Sequence, residues 1–346
     1  MDIRREIAIS GPIPFERFMT MALYGPGGFF SGPTLRSQKS GDFLTSPEVS
    51  PLFGQTLARF VESEHIRIGD PFVVVDVGAG SGSLLQPLLD EHPVEAWAVE
   101  VSPTARAVLG ELLEPGRVVG SIDGLPAPIR GVVIANELID NLPMAIAQLT
   151  EAGWRERFVG IDEDGLTFVD ALPRPEVMAW LQHYAGPVEI GGWVEVQLEA
   201  QLWVKSMLAR VSAGSLVIFD YGDTAENLSS RRKDGTLRTY RSHHLGPHPL
   251  DEPGATDITA DVNFTALIET AKEAAPEVSY ERQDDFLGRW GLRERLSRLR
   301  HEELALARQG DELARLAIRS RRTEAETLLH PRGLGDFRVL VVRVER

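Results

Sequence analysis

The sequence contains no cysteine among its 346 residues. This absence excludes disulfide bonds, thiol nucleophiles and thiolate metal sites, although a chain without thiols can occupy any redox compartment. No apolar run approaches the roughly 20 residues that a membrane-spanning helix needs, so we expect no membrane span. The residues from Met1 to Ile7 include acids and lack the apolar core of a secretory signal, so we expect a cytoplasmic protein.

Basic residues are also scarce. Lys and Arg number 36 against 51 Asp and Glu, which gives a formal net charge of −15. Binding to the nucleic-acid backbone rewards a basic surface, so this balance disfavours a nucleic-acid partner. A small-molecule substrate or a basic protein segment is compatible with it. Hydrophobic residues make up 43% of the chain, enough for one large α/β domain or two modest domains.

Glycines stand at alternate positions after a short apolar run. The run, Val73–Val77, has the length of a buried strand, and Gly78, Gly80 and Gly82 follow it. In doubly wound α/β proteins, a strand that ends in such a turn and leads into a helix brings bare backbone against a nucleotide-like ligand. The dinucleotide fingerprint needs Gly-x-Gly-x-x-Gly, and the position of its third glycine is occupied by Ser83.

Three acids accompany these glycines. Asp76, two residues before the first glycine, resembles the acid in motif I of S-adenosylmethionine-dependent methyltransferases, which helps to hold the amino-acid end of the cofactor. Glu100 ends the next predicted strand, where a carboxylate can accept hydrogen bonds from both ribose hydroxyls. Asp123 follows the third strand, where an acid can accept from the adenine amino group. An acid placed like Glu100 also binds the ribose of NAD, so a nucleotide-dependent oxidoreductase is an alternative.

Strand and helix patterns alternate along the chain, as they do in parallel sheets covered by helices. This alternation predicts an α/β fold. The predicted strands are Phe72–Val77, Ala96–Val101, Arg117–Gly120, Gly131–Asn136, Ser215–Tyr221, Val278–Arg282 and Phe337–Val344.

Two insertions interrupt this alternation. Residues 147–194 predict a β-meander made of Trp154–Ile161 and Gly165–Val169, and Glu195–Val211 then predicts the helix that leads into the fifth strand. Residues 287–329 predict a charged helical hairpin. Its charged faces are most simply a solvated surface, and a surface for docking a partner is the alternative.

The first 70 residues show helix patterns and glycine-rich loops before any strand. They predict an N-terminal helical cap, followed by a cofactor-binding domain over residues 71–346. One helix is predicted over Phe15–Leu23. A second is predicted to begin with Ser46 as its N-cap and Pro47 in its first turn, and to run to about Val61.

The fourth predicted strand ends at Asn136 and Glu137, and Asp140 follows. In sheets of this kind, that strand end faces the transferable methyl group. A carboxylate pairs bidentately with a guanidinium and localises its charge away from the attacking nitrogen, so Glu137 and Asp140 predict an acceptor site for arginine, with Asn136 beside the cofactor. The alternative is that Asn136 and Glu137 cap a helix and Asp140 belongs to a turn.

Asp42 is a third acceptor candidate, because a loop ahead of the core domain is well placed to close over a cofactor. The fifth strand end adds Asp220 and Tyr221 at the same edge of the sheet. His243 and His244 lie in a predicted loop over residues 222–256. Without cysteine or a paired ligand spacing, these histidines do not predict a metal site.

Taken in order, these blocks resemble the MidA-like methyltransferases, a family that includes the mitochondrial complex I assembly methyltransferase. The matching segments are Phe15–Met19 with Leu23 and Tyr24, Gly41–Glu48, Ser50–Gly54, Gly78–Gly82, Asn136–Glu137 with Asp140 and Pro143, Asp220–Gly222, Gly254–Thr259 with Val262 and Phe264, and Gly333–Val339. The resemblance implies a class I methyltransferase with a Rossmann-like seven-stranded sheet whose seventh strand is antiparallel. It also implies that S-adenosylmethionine is the cofactor and that the acceptor is an arginine of a partner protein, such as a respiratory-complex subunit.

The chain departs from the family pattern near the acceptor. Phe29 and Phe30 replace a tyrosine pair, Leu138 and Ile139 replace an aromatic pair, and Asn141 replaces a small residue. These changes concern the substrate more than the cofactor. Two alternatives therefore stand beside a protein arginine methyltransferase: a small-molecule methyltransferase, and a non-catalytic assembly factor that keeps a vestigial cofactor fold.

Overall fold

The computed structural model describes residues 2–32, 45–231, 233–241 and 244–345. Within these ranges, helices and strands alternate as the sequence predicts. The α-helices are Ile3–Ser10, Phe15–Tyr24, Ser46–Val49, Leu52–Ile68, Leu85–Glu91, Pro103–Leu112, Pro175–Tyr184, Leu198–Arg210, Ala225–Leu228, Phe264–Ala274, Gln283–Arg289, Leu292–Gln309 and Glu312–Glu326.

A seven-stranded sheet forms the centre of the protein. From one edge to the other, its strands are Glu277–Arg282, Arg338–Glu345, Val211–Asp220, Ile129–Asn136, Val73–Val77, Glu95–Val99 and Val118–Val119. Arg338–Glu345 pairs antiparallel with both of its neighbours, and the other pairs are parallel. This arrangement confirms the predicted sheet and its antiparallel seventh strand.

Helices cover both faces of the central sheet. Neighbouring strand residues alternate between the faces, so that Val74 packs into one hydrophobic cluster and Val75 into the other. The helix Leu52–Ile68 contributes Leu57 to the first cluster, and the helix Leu198–Arg210 contributes to the second. Full burial of a side chain such as Leu57 contributes about 1.5–3 kcal/mol, so the two clusters hold the strand ends in fixed positions.

The predicted insertion folds as a second sheet. Its strands are Ala145–Thr150, Gly153–Ile161, Leu166–Ala171, Trp193–Val196 and Ile13–Pro14. The two predicted strands of the meander are confirmed. The prediction of a helix from Glu195 is wrong for its first residues, because Glu195 lies in a strand that pairs with Ala145–Thr150.

The N-terminal segment is joined to this second sheet. The expectation that no strand precedes residue 70 is wrong, because Ile13–Pro14 pairs antiparallel with Phe158 and Val159. The helix Phe15–Tyr24 then buries its apolar face in a cluster that also contains Ile146 from the insertion. The predicted cap therefore shares a hydrophobic core with the inserted strands.

The second predicted N-terminal helix is divided into two. Its N-cap is Thr45 rather than Ser46, and the backbone N–H of Thr45 donates to the Glu48 carboxylate over 3.1 Å. Ser50 has extended backbone angles, as expected for a residue that precedes a proline, and Pro51 begins the helix Leu52–Ile68.

The remaining C-terminal segments follow the predictions in part. The charged hairpin consists of Leu292–Gln309 and Glu312–Glu326. The described part of residues 222–256 is not only loop, because it contains the helix Ala225–Leu228 and the strand Arg238–Arg241. Across the described ranges, we find no helix with the length and apolarity needed to cross a membrane.

Candidate functional site

A cavity of about 850 Å³ opens at the carboxyl ends of three adjacent central strands, which end at Val77, Val99 and Asn136. We call it the first cavity. Binding sites in open α/β sheets lie at this edge. Its lining includes Tyr24, Thr45, Asp76, Gly78, Gly80, Glu100, Ser102, Asn136, Glu137 and Asn141.

The glycine turn presents backbone to the first cavity. Gly78, Gly80 and Gly82 have φ angles of 76°, 53° and 81°, in the left-handed region that other residues rarely adopt. Gly78 and Gly80 line the cavity, whereas a Cβ at Gly82 would lie 3.2 Å from the Leu109 side chain. The first two glycines therefore leave room for a ligand, and the third leaves room for a neighbouring helix to pack.

Asp76 is buried beneath the glycine turn. Its Oδ2 atom has no hydrogen-bond partner in the described part of the chain. Burial, and secondarily the charge of Glu100, raise the pKa of Asp76 to about 7. A cationic ligand group at this oxygen would supply the missing donor and favour the ionised form, so the carboxyl fits the ammonium of an amino acid.

Glu100 is held at the end of its strand by backbone groups. Its Oε2 accepts a hydrogen bond from the Gly80 N–H over 2.8 Å, and its Oε1 accepts one from the Ser102 N–H over 2.8 Å. Each carboxylate oxygen keeps a further lone pair. Glu100 lines the first cavity, and its contact with a pair of ribose hydroxyls stays a prediction.

Glu137 has the one positive φ among the described non-glycine residues, at 49°. Its backbone N–H donates to the Phe219 carbonyl over 2.8 Å, and its Oε1 accepts from the Ser46 N–H over 2.9 Å and from the Asn136 amide over 3.3 Å. A non-glycine residue in this conformation costs about 1–2 kcal/mol and persists only where the surroundings hold it. Burial raises the pKa of Glu137 to about 8, and the charge of Asp140 adds to the effect.

A second, wider cavity of about 1270 Å³ adjoins the first, and we call it the second cleft. The two share Glu137 and Asn141, so the Glu137 side chain lies where they meet. The residues that line the second cleft include Glu137, Asp140, Asn141, Tyr221, Arg231, Arg238, Tyr240, Asp257, Asp261, Arg332, Asp336 and Phe337.

Asp140 lies at the inner end of the second cleft and is 3% exposed. Its Oδ2 accepts hydrogen bonds from the Thr259 hydroxyl over 2.6 Å and from the Tyr221 hydroxyl. Its Oδ1 is buried and has no partner among the described residues. Burial raises the pKa of Asp140 above its usual value, because the two hydroxyl donors only partly offset the loss of water.

Asp220, the last residue of the strand Val211–Asp220, accepts hydrogen bonds from the backbone around Asp140. Its Oδ2 accepts from the backbone N–H groups of Ile139 and Asp140 over 2.9 and 3.2 Å, and its Oδ1 accepts from the Tyr221 N–H over 2.9 Å. The side chain is completely buried, and burial raises its pKa well above the usual value. Asp220 therefore fixes the turn that carries Asp140.

The structure does not bring every predicted site residue to these cavities. The Asp123 side chain is 85% exposed, pairs with Arg210 over 2.7 Å and is not part of the lining of the first cavity. Its contact with adenine stays a prediction. Asp42 lies outside the described residues. Among those that are described, no group of three histidine or acidic side chains is arranged to hold a metal ion.

Other lining residues were not predicted as site residues. The Tyr24 hydroxyl donates to the Asn141 carbonyl over 3.0 Å, and the Asn141 amide donates to Asp257 over 2.9 Å. The change from a small residue at Asn141 was the available signal. Arg231, Arg238 and Arg332 carried no signal, because they come from separate parts of the chain.

This chain is similar to several known proteins. A model of the family described as "Putative S-adenosyl-L-methionine-dependent methyltransferase" matches residues 56–281. "Protein arginine methyltransferase NDUFAF7, mitochondrial" from Danio rerio is 29% identical over 333 residues, which cover 84% of this chain and 76% of the relative. The Homo sapiens protein of the same name is 29% identical over 332 residues, with coverages of 84% and 73%.

Two crystal structures from Burkholderia thailandensis are similar over almost the whole chain. One was solved with S-adenosyl-homocysteine bound; it has a TM-score of 0.86 and 31% sequence identity, and covers 99% of this chain and 90% of its own. The other is a native crystal structure with a TM-score of 0.83, the same identity and the same coverages. The similarity therefore includes the N-terminal segment and both insertions.

Proposed function

Because the chain belongs to the family of putative S-adenosyl-L-methionine-dependent methyltransferases, we propose that it methylates a guanidinium nitrogen of an arginine in a partner protein. Its cofactor is S-adenosylmethionine, which supplies a methyl group bonded to a positively charged sulfur. The curated relatives, which are named protein arginine methyltransferases, support the choice of acceptor.

The first cavity fits this cofactor. We assign the unpartnered oxygen of Asp76 to the amino-acid end of the cofactor and the bare backbone of Gly78 and Gly80 to its close approach. We assign the backbone-held carboxylate of Glu100 to the ribose hydroxyls. Asn136 also lines this cavity, and its buried Oδ1 atom has no partner among the described residues, which suits it to a donor on the cofactor.

The position of Glu137 carries the proposal. Its carboxyl group lies where the two cavities meet. Asp140 lies in the second cleft beside it, and one of its oxygens has no partner among the described residues. Two carboxylates can pair with a guanidinium and hold one of its nitrogens toward the first cavity. Transfer would form the nitrogen–methyl bond as the methyl–sulfur bond breaks, with its electron pair passing to the positively charged sulfur. The nitrogen gives up a proton, which the ionised form of Glu137 can accept; with a pKa of about 8, part of the Glu137 population is ionised near neutral pH.

A cationic acceptor also makes it easier to ionise the two carboxyl groups that would bind it. A guanidinium beside Glu137 and Asp140 stabilises their ionised forms and so lowers the pKa that burial has raised. An uncharged acceptor would gain nothing from two carboxyl groups that are costly to ionise. A basic side chain is therefore a better fit to the second cleft than a neutral small molecule.

Proteome-wide mass spectrometry tests the proposal. Cells that lack this protein are compared with cells complemented by the wild-type chain or by Glu137→Gln. We expect at least one methylarginine to disappear on deletion, to return with the wild-type chain and to stay absent with Glu137→Gln. If no methylated arginine changes, the proposal is wrong. If Glu137→Gln restores every cellular defect, the chain acts as a non-catalytic factor.

A further inference from the structure

The second cleft contains arginines as well as acids. Arg231 and Arg238 both pair with the carboxylate of Asp261, with an Arg238 distance of 2.9 Å. Asp261 is only 3% exposed, whereas the two arginine side chains are 39% and 40% exposed. One buried carboxylate therefore holds two guanidinium groups, and each has more N–H donors than this single partner can use.

Arg332 lines the same cleft. Its guanidinium makes no ion pair or hydrogen bond with the described part of the chain, and its side chain is exposed. The nearby acid Asp336 is already paired with Arg282 and Arg338. Arg332 thus adds guanidinium N–H donors to the cleft that no described residue uses.

The three arginines therefore bring unused N–H donors to the second cleft. Glu137 is shared with the first cavity and Asp140 lies beside it. The remainder of the lining contains the three arginines together with Asp257, Asp261 and Asp336. Asp336 is paired with Arg282 and Arg338, and Asp261 is shared by Arg231 and Arg238. Formal charges balance in this part of the lining, but guanidinium N–H donors remain unused there. The cleft is open to solvent and lined by residues from several separate segments, so a bound chain can place more than one side chain against it.

We propose that Arg231, Arg238 and Arg332 form a carboxylate-binding subsite, and that this protein selects arginines with an aspartate or glutamate nearby in the substrate chain. The inference rests on the proposed function. A guanidinium offers a planar pair of N–H donors that matches a carboxylate, so each arginine can recognise an acidic side chain directly.

A structural explanation covers two of these arginines but not the third. Arg231 and Arg238 stabilise buried Asp261, and their replacement would leave that carboxylate without these partners. Arg332 has no such role among the described residues. Arg332 is therefore the residue whose replacement separates substrate recognition from folding.

A peptide library provides the test. Each peptide carries one central arginine with random flanking residues and is incubated with the full-length protein and S-adenosylmethionine; methylated products are sequenced by mass spectrometry. For the wild-type chain, we expect peptides with Asp or Glu near the arginine to be enriched about threefold to tenfold over the matching Asn or Gln peptides. Arg332→Glu should remove most of this preference and favour Lys or Arg instead.

Arg308→Glu is the matched control, because Arg308 is an exposed arginine in the last turn of the helix Leu292–Gln309 and outside the cleft lining. It should keep the acidic preference. The melting temperature and cofactor affinity of Arg332→Glu should match those of the wild-type chain. Methylation with equal use of acidic and amide peptides would overturn the inference and leave the proposed function standing. Complete absence of methylated peptides, with cofactor binding intact, would count against both.

Discussion

The first cavity and the second cleft meet at Glu137 but are built differently. The acids and glycines of the first cavity follow neighbouring strands, and Asp76 to Ser102 cover a short stretch of the chain. The second cleft gathers side chains from separate regions, from Glu137 to Asp336. A site formed at consecutive strand ends can be predicted from a sequence, whereas a site formed by distant segments can be identified only from the folded structure.

The two regions also differ in how their charges are satisfied. In the first cavity, backbone N–H groups hold Glu100, and one oxygen of Asp76 has no partner in the described residues. In the second cleft, side chains hold side chains, as Thr259 and Tyr221 hold Asp140. Backbone donors survive most substitutions, so the first cavity should tolerate sequence change around it better than the second.

The largest expected effect is a loss of methyl transfer when the second cleft loses the carboxylate of Glu137. Glu137→Gln should lower kcat for methyl transfer by about 100-fold to 1,000-fold, because the amide can neither pair with a guanidinium nor accept its proton. The glutamine oxygen can still accept from the Ser46 N–H, so the fold should persist. Cofactor affinity, measured by calorimetry, should change less than about threefold. The exposed Glu163→Gln serves as the control.

The pH profile sharpens the same prediction. A carboxyl with a pKa of about 8 is mostly neutral at pH 6, so kcat/KM of the wild-type chain should rise between pH 6 and about pH 8 as Glu137 ionises. The measurement uses saturating S-adenosylmethionine, so that cofactor binding keeps Asp76 ionised, and Glu137→Gln should then lose this rise. An identical profile in both proteins would show that another group controls the pH dependence.

The second-largest expected effect is a loss of cofactor binding when a residue that lines the first cavity is replaced. Gly80→Val should weaken cofactor binding by about 100-fold or more, because a branched side chain would occupy the lining and strain a φ of 53°. Gly116→Val is the matched control: Gly116 also has a positive φ, and a Cβ there would meet open space. Equal loss of cofactor binding in both variants would mean that strain alone explains the effect.

Asp76→Asn should weaken cofactor binding and raise the free energy of unfolding. The folded-state pKa of Asp76 is raised from 3.8 to about 7, so the folded protein holds a proton that the unfolded chain releases, and stability falls as pH rises from about 4 to 7. Without cofactor at pH 8, Asp76→Asn should therefore raise the free energy of unfolding by about 2–4 kcal/mol, and by about 1–2 kcal/mol at pH 5. Its cofactor affinity should fall about 10-fold to 100-fold.

Chemical denaturation at the two pH values measures the stability change, and the exposed Asp90→Asn is the control. A variant that is less stable than the wild-type chain at pH 8 would contradict the cost of burying the Asp76 charge. Unchanged cofactor affinity would remove Asp76 from the first cavity as a binding residue.

The smallest expected effect concerns the edge of the first cavity. Asp123→Ala should change cofactor affinity by less than about twofold, because the exposed carboxylate is engaged with Arg210. Arg210→Ala should have a similarly small effect if the pair serves only the surface. A tenfold loss of affinity in Asp123→Ala alone would restore its role in adenine recognition.

Prediction from the sequence worked where local pattern fixes structure. Most of the seven central strands were identified because they are short apolar runs between turn signals, and the ends of all seven differ from the prediction by a few residues at most. Ile13–Pro14 was missed because two residues carry no periodicity. Trp193–Val196 was missed because Glu195 is a charged residue that the fold buries, where its Oε1 accepts from the Thr236 and Leu237 N–H groups.

The same limit applies to the site. Asp76 and Glu100 were identified because they stand at fixed distances from the glycine turn. Asp220 was noted as an edge acid, but its three backbone donors, which make it a support rather than a ligand, depend on how the turn after Glu137 folds back. Recognition by Arg332 depends on a separate segment that meets the cleft only in three dimensions.

The left-handed backbone of Glu137 has a consequence for how this protein can change over generations. At a φ of 49°, glycine or asparagine is more comfortable than glutamate, so mutation toward either should stabilise the fold while removing the carboxylate. Selection for folding and selection for methyl transfer therefore oppose each other at this one codon. In a lineage that no longer needs methyl transfer, Glu137 should be lost early, while the rest of the first cavity is still intact.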